Sequence, residues 1–243
     1  MQLLTGTSGF SYKEWIGPFY PEKTAPEGML KFYADRFPTV EINNTFYRMP
    51  APAMLAGWLT QVPDAFSFTL KAPKRITHVE RLHESESSVK EFLKRAGGLG
   101  ERLGVVLFQL PPFFKKDLPR LQAFLDLLPA AGRFAFEFRS DSWQDAEVYD
   151  ALRARGALLC VTDTDEGETP FVTTAASGYV RLRRTQYSDD ELRAWAARIA
   201  AAPVERTYVY FMHEDEALGT RFAQTLMSVW DEPGVRSAAP SAG

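Results

Sequence analysis

Charged side chains recur near the carboxyl ends of short apolar segments, where they could bind or transform a small molecule. These residues are Glu41, Lys71, Glu137, Arg139, Asp163, Arg181 and Arg183. Carboxylates can transfer protons or ligate Mg²⁺ or Mn²⁺, and a desolvated lysine can form a Schiff base. Arginine guanidinium groups bind carboxylate or phosphate through paired hydrogen bonds. The pattern predicts either an acid–base centre beside an anion site or a network of structural ion pairs.

The candidate residues divide into two roles. Glu137 is the leading acid–base candidate, with Glu41, Asp163 and Lys71 as the other catalytic candidates. The substrate-binding candidates are Arg139, Arg181, Arg183, Arg48, Asn43, Gln109, His78, Tyr12 and Trp143. Together with the loop residues Lys74 and Arg75, these arginines predict a cationic site for a small anionic ligand.

Three of the same carboxylates are candidate ligands of a metal cofactor. Glu41, Glu137 and Asp163 could hold one Mg²⁺ or Mn²⁺ ion. The alternative, that they balance the charge of the lysine and arginines, is favoured, and no metal ligand is assigned. A multi-zinc cluster is not expected, because the chain has only three histidines.

Eight short apolar segments are the elements that must position these side chains. They are bounded by glycine, proline or polar residues, as buried strands usually are. The predicted strands are residues 2–6, 39–43, 66–71, 104–110, 133–138, 157–162, 179–183 and 207–212.

Helical patterns follow the strands. Leucines recur at steps of three and four at positions 118, 121, 125 and 128, and Ser188 with Glu191 forms a capping box at the start of another helix. Weaker patterns predict helices at residues 26–37, 51–61 and 141–155, and either a helix or a loop at residues 169–176. Eight strand–helix units of about thirty residues predict one (β/α)8 TIM-type barrel over residues 1–236, with a doubly wound open sheet as the alternative. Residues 237–243 are predicted to be a disordered tail.

The alternation of side chains along each strand predicts which residues face the barrel interior. In the fifth strand, three phenylalanines share one face, so Glu137 and Arg139 are expected to point inward. The same rule predicts that Arg181 and Arg183 point inward. It also predicts that Asp163 points inward and that Cys160 lies on the outer face. Active sites of such barrels lie at the carboxyl ends of the strands, where these charges cluster.

Composition limits the class of protein. Of 243 residues, 45% are hydrophobic and 24% are charged, which is typical of a folded domain. The single cysteine and the absence of a leader-like N-terminus predict a cytoplasmic protein. No apolar run reaches the ~20 residues of a membrane span, so no membrane partner is expected. The net charge of −3 argues against a globally basic nucleic-acid binder.

Long segments of the chain resemble the YecE-like family, catalogued as domain of unknown function 72. The resemblance rests on residues 6–12 (GTSGFSY), Trp15, residues 19–21 (FYP), 39–48 (TVEINNTFYR), 71–78, 108–112 (FQLPP), 137–139 (EFR), 142–143 (SW) and 187–188. It implies a TIM-type barrel and no established reaction. Two segments depart from the family pattern, Arg181–Arg184 where Arg-Leu-His-Gly is usual and Phe211–His213 where Phe-Asn-Asn is usual.

Three hypotheses of function follow. The first is an enzyme acting on a small anionic, even phosphorylated, substrate by acid–base or metal-assisted chemistry of the hydrolase or lyase type. The second is a nucleic-acid-binding or nucleic-acid-processing barrel that uses the same arginines on phosphate and loop aromatics on bases. The third is a ligand sensor without catalysis. The sequence carries no signal of oligomeric state.

Overall fold

A computed structural model describes residues 1–212, 215–233 and 235. The nine strands are β1 Gln2–Thr7, β2 Thr39–Ile42, β3 Ser67–Lys71, β4 Leu103–Gln109, β5 Phe134–Glu137, β6 Leu158–Thr164, β7 Gly167–Glu168, β8 Ser177–Leu182 and β9 Arg206–Phe211. The seven α-helices of the described chain are α1 Pro26–Ala34, α2 Pro52–Leu59, α3 Glu86–Ala96, α4 Leu118–Leu127, α5 Ala146–Ala154, α6 Asp189–Ala200 and α7 Leu218–Trp230. His213 and the predicted tail at 237–243 lie outside the described residues.

Eight strands form a parallel, nearly closed barrel. Their order is β1-β9-β8-β6-β5-β4-β3-β2, and every neighbouring pair in this path is parallel. The barrel closes between β1 and β2 through a bridge of Ser8 to Glu41, next to a 2.7 Å hydrogen bond from the Gly9 amide to the Glu41 carbonyl. Glycine is required at Gly6, where a Cβ atom would lie 2.0 Å from the Thr39 carbonyl oxygen. The predicted α/β TIM-type barrel is thus confirmed.

Helix starts follow the sequence signals. The Ser188 hydroxyl accepts the Glu191 amide and the Glu191 carboxylate accepts the Ser188 amide, so the predicted capping box opens α6. Asp117 and Asp145 cap α4 and α5 in the same way, each accepting a backbone amide of the first turn. The predicted helix at 141–155 divides into a 3₁₀ turn, Asp141–Trp143, and α5.

Residues 169–176 form a loop, which is the predicted alternative to a helix in this segment. After β6 the chain turns back through the antiparallel strand β7 and then runs without a helix to β8. Thr174 explains the irregular path, because its hydroxyl donates to the Ala157 carbonyl at 2.7 Å and accepts the Leu159 amide at 2.8 Å. Threonine side chains of this kind compete with helical hydrogen bonding.

Two apolar layers hold the barrel. The outer layer packs the sheet against the helices and contains Phe134, Phe136 and Phe138, as the alternation predicts. The inner layer fills the barrel and consists of Leu4, Val105, Leu107, Ala135, Leu158, Cys160, Tyr179, Tyr208 and Tyr210. Cys160 therefore faces inward, and its predicted outward position is wrong. The inner layer supports the charged side chains that continue these strands toward their carboxyl ends.

None of the helices in the described part of the chain is long and apolar enough to cross a membrane.

Candidate functional site

Arg181 joins two carboxylates at the centre of the barrel. Its Nη2 donates to Glu41 Oε1 at 2.8 Å, and its Nη1 donates to Glu137 Oε2. The three side chains come from β8, β2 and β5, and each is no more than 2% exposed. Buried ions of opposite charge are tolerated only in such paired arrangements. We call Glu41, Glu137 and Arg181 the central triad.

Neutral side chains complete the hydrogen bonding of the two carboxylates. Ser8 donates its hydroxyl to Glu41 Oε1 at 2.6 Å, and Tyr179 donates to Glu41 Oε2 at 2.5 Å. Gln109 Nε2 lies 2.9 Å from both oxygens of Glu137. Each carboxylate is therefore held in one orientation by several donors, which is the structure of a rigid scaffold.

Glu137 is ionised in this environment. Burial raises the pKa of its carboxyl, but the charges of Arg181 and Arg183 and the hydrogen bond from Gln109 outweigh burial, so the pKa lies below its ordinary value. A general acid or base works best with a pKa near the working pH. The geometry therefore favours Glu137 as the counter-charge of the arginines rather than as the proton carrier.

Three further cations surround the central triad. Lys71 ends β3 and is half-buried, Arg183 follows β8 with 24% of its side chain exposed, and Arg139 is exposed just beyond β5. Burial and the neighbouring Arg181 lower the pKa of Lys71 to about 8 and also lower the pKa of Arg183. The charged forms of both side chains are therefore disfavoured here, first by burial and then by the neighbouring Arg181.

A cavity of about 610 Å³ opens over this cluster. Its floor includes Glu137, Arg139 and Arg183, and its opposite wall is the inward face of β6 with the β6–β7 turn. The acidic side chains of the lining besides Glu137 are Asp141, Asp165, Glu166 and Glu168. The cavity thus combines a floor that carries two arginines with an acidic rim, whereas the sequence predicts a mouth with an excess of positive charge.

Asp163 does not belong to this cavity. Its side chain is fully buried between β6 and α6, where Oδ1 accepts Arg184 Nε at 2.7 Å and Oδ2 accepts Tyr187 and Trp195 at 3.1 and 3.2 Å. The predicted inward position of Asp163 is therefore wrong. Thr162 and Thr164 occupy the cavity side of the same strand instead.

We expect Asp163→Asn to destabilise the protein by about 1–3 kcal/mol without changing its response to anions. The substitution removes the charge that satisfies three donors, and the new amide presents hydrogens to them. Urea unfolding gives the stability, and the rise of Tm in phosphate gives the anion response. A variant that folds normally but no longer responds to phosphate would indicate that Asp163 belongs to the anion site after all.

Three of the other predicted binding residues, Trp143, Tyr12 and Arg48, have different environments. Trp143 is buried in the outer layer, stacked on Phe138 with its Nε1 donating to the Phe114 carbonyl at 2.7 Å, so its predicted place at the site is wrong. Tyr12 donates to the Ser8 carbonyl at 2.7 Å and packs against Trp15. Arg48 is exposed in the loop after β2.

His78 lies near the central cations, and Asn43 directly follows β2. The His78 ring packs edge-on against Phe46, with centroids 4.9 Å apart, and its Nδ1 lies 2.9 Å from the Thr77 hydroxyl. Burial and then the charge of Lys71 lower the pKa of His78. The Oδ1 atom of Asn43 is buried and has no hydrogen-bond partner within the described residues. Both side chains can therefore exchange hydrogen bonds with a ligand.

Sequence reasoning missed the two hydroxyl donors to Glu41. Tyr179 stands two residues before Arg181, so the period of two already puts both side chains on one face of β8. Ser8 has no such signal, because its role depends on the closure between β1 and β2.

The carboxylates are not arranged as a metal site. Asp163 is separated from Glu41 and Glu137 by the wall of the barrel, and the oxygens of the latter two are engaged by Arg181, Ser8, Tyr179 and Gln109. Across the described ranges, no group of three or more His, Cys, Asp or Glu side chains could hold a metal ion.

Comparison with known proteins places this geometry in a family. The sequence profile described as "Protein of unknown function DUF72" matches residues 4–242. UPF0759 protein YecE of Escherichia coli is 39% identical over 141 residues, which cover 56% of this chain and 52% of that protein. UPF0759 protein YunF of Bacillus subtilis is 30% identical over 172 residues, covering 64% of this chain and 61% of that protein. The matches thus span between about half and three fifths of these curated relatives.

Solved structures agree with the fold. A DUF72 family protein from Thermotoga maritima superposes with a TM-score of 0.86 at 29% identity, covering 96% of this chain and 100% of that chain. A DUF72 family protein from Enterococcus faecalis gives a TM-score of 0.78 at 17% identity, covering 95% of this chain and 96% of that chain. The second likeness shows the shared fold alone.

Proposed function

The chain belongs to the family described as Protein of unknown function DUF72, and from the charges of its barrel mouth we propose that it binds and acts on a small organic anion that carries hydroxyl groups. The observation that carries this proposal is the surplus of positive charge around the central triad. Four cations, Lys71, Arg139, Arg181 and Arg183, stand around the two carboxylates Glu41 and Glu137, while the further acidic residues of the cavity lie at its rim.

A bound anion would relieve the repulsion among these cations. Arg183 lies 3.6 Å from Glu137 Oε1, so its guanidinium retains donors for a second acceptor. Arg139 is exposed beside it on the floor of the same cavity. Two arginines on one concave surface suit a carboxylate or a phosphate, which each can bind through two hydrogen bonds.

The acidic rim favours hydroxyl groups on the rest of the ligand. Carboxylates such as Asp141 and Glu166 accept hydrogen bonds and repel further negative charge. A long polyanion would pass over this rim, whereas a small ligand would place its single anionic group on the floor. The rim therefore supports the small-molecule hypothesis over the nucleic-acid hypothesis.

Lys71 is the best candidate for the reacting group of this site. Its pKa of about 8 lies near neutral pH, and it stands beside the central triad and Arg183, so its amine exists in both protonation states under ordinary conditions. Glu41 and Glu137 would hold Arg181 in place and orient the site.

Phosphate should raise the Tm of the protein, and Arg183→Gln should abolish most of that rise. Binding to the folded state alone stabilises it by about 2.7 kcal/mol when the ligand is at a hundred times its Kd. The measurement is thermal unfolding across a phosphate series at constant ionic strength. Arg153→Gln, an exposed arginine paired with Asp150 on α5, is the matched control and should respond like the parent.

Equal responses of the parent and the Arg183→Gln protein would contradict the proposal. A short single-stranded nucleic acid gives the comparison for the second hypothesis, since its binding would weaken steeply with salt. Tight, salt-dependent binding that survives loss of Arg183 would favour that hypothesis.

A further inference from the structure

We propose that Lys71 captures a carbonyl group of the bound anion as a covalent imine, so that the substrate class is a small hydroxylated oxo acid or a phosphorylated hydroxyaldehyde or hydroxyketone. This inference rests on the proposed function, because the arginines must bring the carbonyl to the amine. It adds the reactive group of the ligand and the atom that attacks it, Lys71 Nζ.

The position of Lys71 suits a nucleophile better than an ion-pair partner. It is the last residue of β3, on the inner face with Thr69, and its backbone carbonyl is fixed by a 2.6 Å hydrogen bond from the Thr45 hydroxyl. Its Nζ lies 4.3 Å from the centroid of the Phe46 ring. Within the described residues the amine forms no salt bridge, although two carboxylates of the central triad are near enough to influence it.

The surroundings of Lys71 also make its amine available. Burial lowers the pKa of Lys71 most, and Arg181 and Arg183 lower it further, while Glu41 and Glu137 act in the opposite direction. With a pKa of about 8, roughly a tenth of the amine is neutral at pH 7, far more than for an ordinary lysine. Only the neutral amine has the electron pair that attacks a carbonyl carbon.

The reaction is a condensation that changes no oxidation state. The Nζ electron pair forms a bond to the carbonyl carbon, and the carbonyl oxygen takes a proton to give a carbinolamine. Loss of that hydroxyl as water, together with the second proton of the nitrogen, leaves a carbon–nitrogen double bond. The product is an iminium ion when the nitrogen is protonated, and it draws electrons from the neighbouring carbon.

His78 is placed to move protons in this sequence. It packs on the same Phe46 ring as Lys71, and its lowered pKa keeps its imidazole neutral at pH 7. A neutral imidazole can both accept and donate a proton. The charged groups that influence His78 are Lys71, Lys74 and Arg139, and all of them disfavour its protonation.

Reductive trapping tests the inference directly. The intact protein is incubated with hydroxypyruvate or dihydroxyacetone phosphate and sodium cyanoborohydride, which reduces an iminium to a stable secondary amine. We expect one adduct per chain, mapped by peptide mass spectrometry to Lys71, and a rate that rises with pH toward about 8, where half of the amine is neutral. Acetone, which lacks the anionic group, should label the protein at least tenfold more slowly.

Two variants separate this chemistry from general lysine reactivity. Lys71→Arg keeps the positive charge but removes the nucleophile, so it should retain the Tm response to phosphate and lose the adduct. Lys90→Arg makes the same change at an exposed lysine of α3 and should react like the parent.

The outcomes distinguish the two proposals. A protein that responds to phosphate but gives no Lys71 adduct with either carbonyl overturns this inference and leaves the proposed function standing. Labelling spread evenly over surface lysines also overturns it. A protein that gives neither the phosphate response nor the adduct contradicts the proposed function itself.

Discussion

Glu137→Gln should lower the free energy of unfolding by about 3–5 kcal/mol, the usual cost of breaking a buried ion pair. The substitution preserves volume but leaves Arg181 with Glu41 as its one remaining carboxylate of the triad and removes the charge that Arg183 faces at 3.6 Å. Gln109 would then meet an amide in place of an acceptor carboxylate. Urea unfolding of the parent and the variant at pH 7 measures the loss.

The control is an exposed glutamate with an ion pair. Glu147→Gln on α5 removes a partner of Lys116 at the surface and should hardly move the unfolding midpoint. If Glu137→Gln is as stable as this control, Glu137 is not a counter-charge, and it would again be the leading candidate for the acid–base group.

Arg181→Met should destabilise the protein at least as much, because it leaves two buried carboxylates without their shared cation. The penalty is again about 3–5 kcal/mol at pH 7. A second variant tests the reason. Adding Glu41→Gln and Glu137→Gln to Arg181→Met removes all three charges and should recover much of the loss, since neutral groups of similar volume can replace a buried ionic network. A triple variant no more stable than Arg181→Met would contradict this explanation.

The penalty of Arg181→Met should also depend on pH. In the parent, burial raises the pKa of Glu137, but the charges of the two arginines lower it by more, so the folded pKa lies below the unfolded value of about 4.3. The contribution of Glu137 to stability is therefore complete above the unfolded pKa and is lost as the pH falls through the lower folded pKa. Without Arg181, burial raises the pKa of Glu137, and its cost grows as pH rises above about 4.3. The stability difference between parent and variant should therefore be smaller at pH 5 than at pH 7. Denaturant unfolding at the two pH values checks this; a difference that is constant or larger at pH 5 would contradict it.

Much of the barrel could be predicted because apolar and charged residues alternate clearly along several strands. Along residues 134–138 three phenylalanines alternate with Ala135 and Glu137, and along residues 180–183 two apolar side chains alternate with Arg181 and Arg183. The period of two therefore indicates the face of these charges. The inward positions of Glu41, Lys71 and Gln109 follow from the same rule and agree with the structure.

The prediction failed where this alternation is absent. The run from Leu158 to Val161 is apolar on both faces, so it does not indicate which face is inside, and Asp163 and Cys160 were assigned to the wrong sides. The pairing within the central triad could also not be predicted from the sequence, because it depends on how far side chains from β2, β5 and β8 reach across the barrel. Arg181, and not Arg183 or Arg139, proves to be the residue that joins both carboxylates.

Locating a bound anion in a crystal tests the central claim most directly. Crystals of the parent protein are soaked in selenate, a phosphate-like anion whose anomalous scattering identifies it without ambiguity. We predict an anomalous peak in the cavity, within hydrogen-bond distance of Arg183 and Arg139, and its absence from crystals of the Arg183→Gln protein. Selenate found only on the outer surface, with none in the cavity at a concentration that raises the Tm, would contradict the proposal.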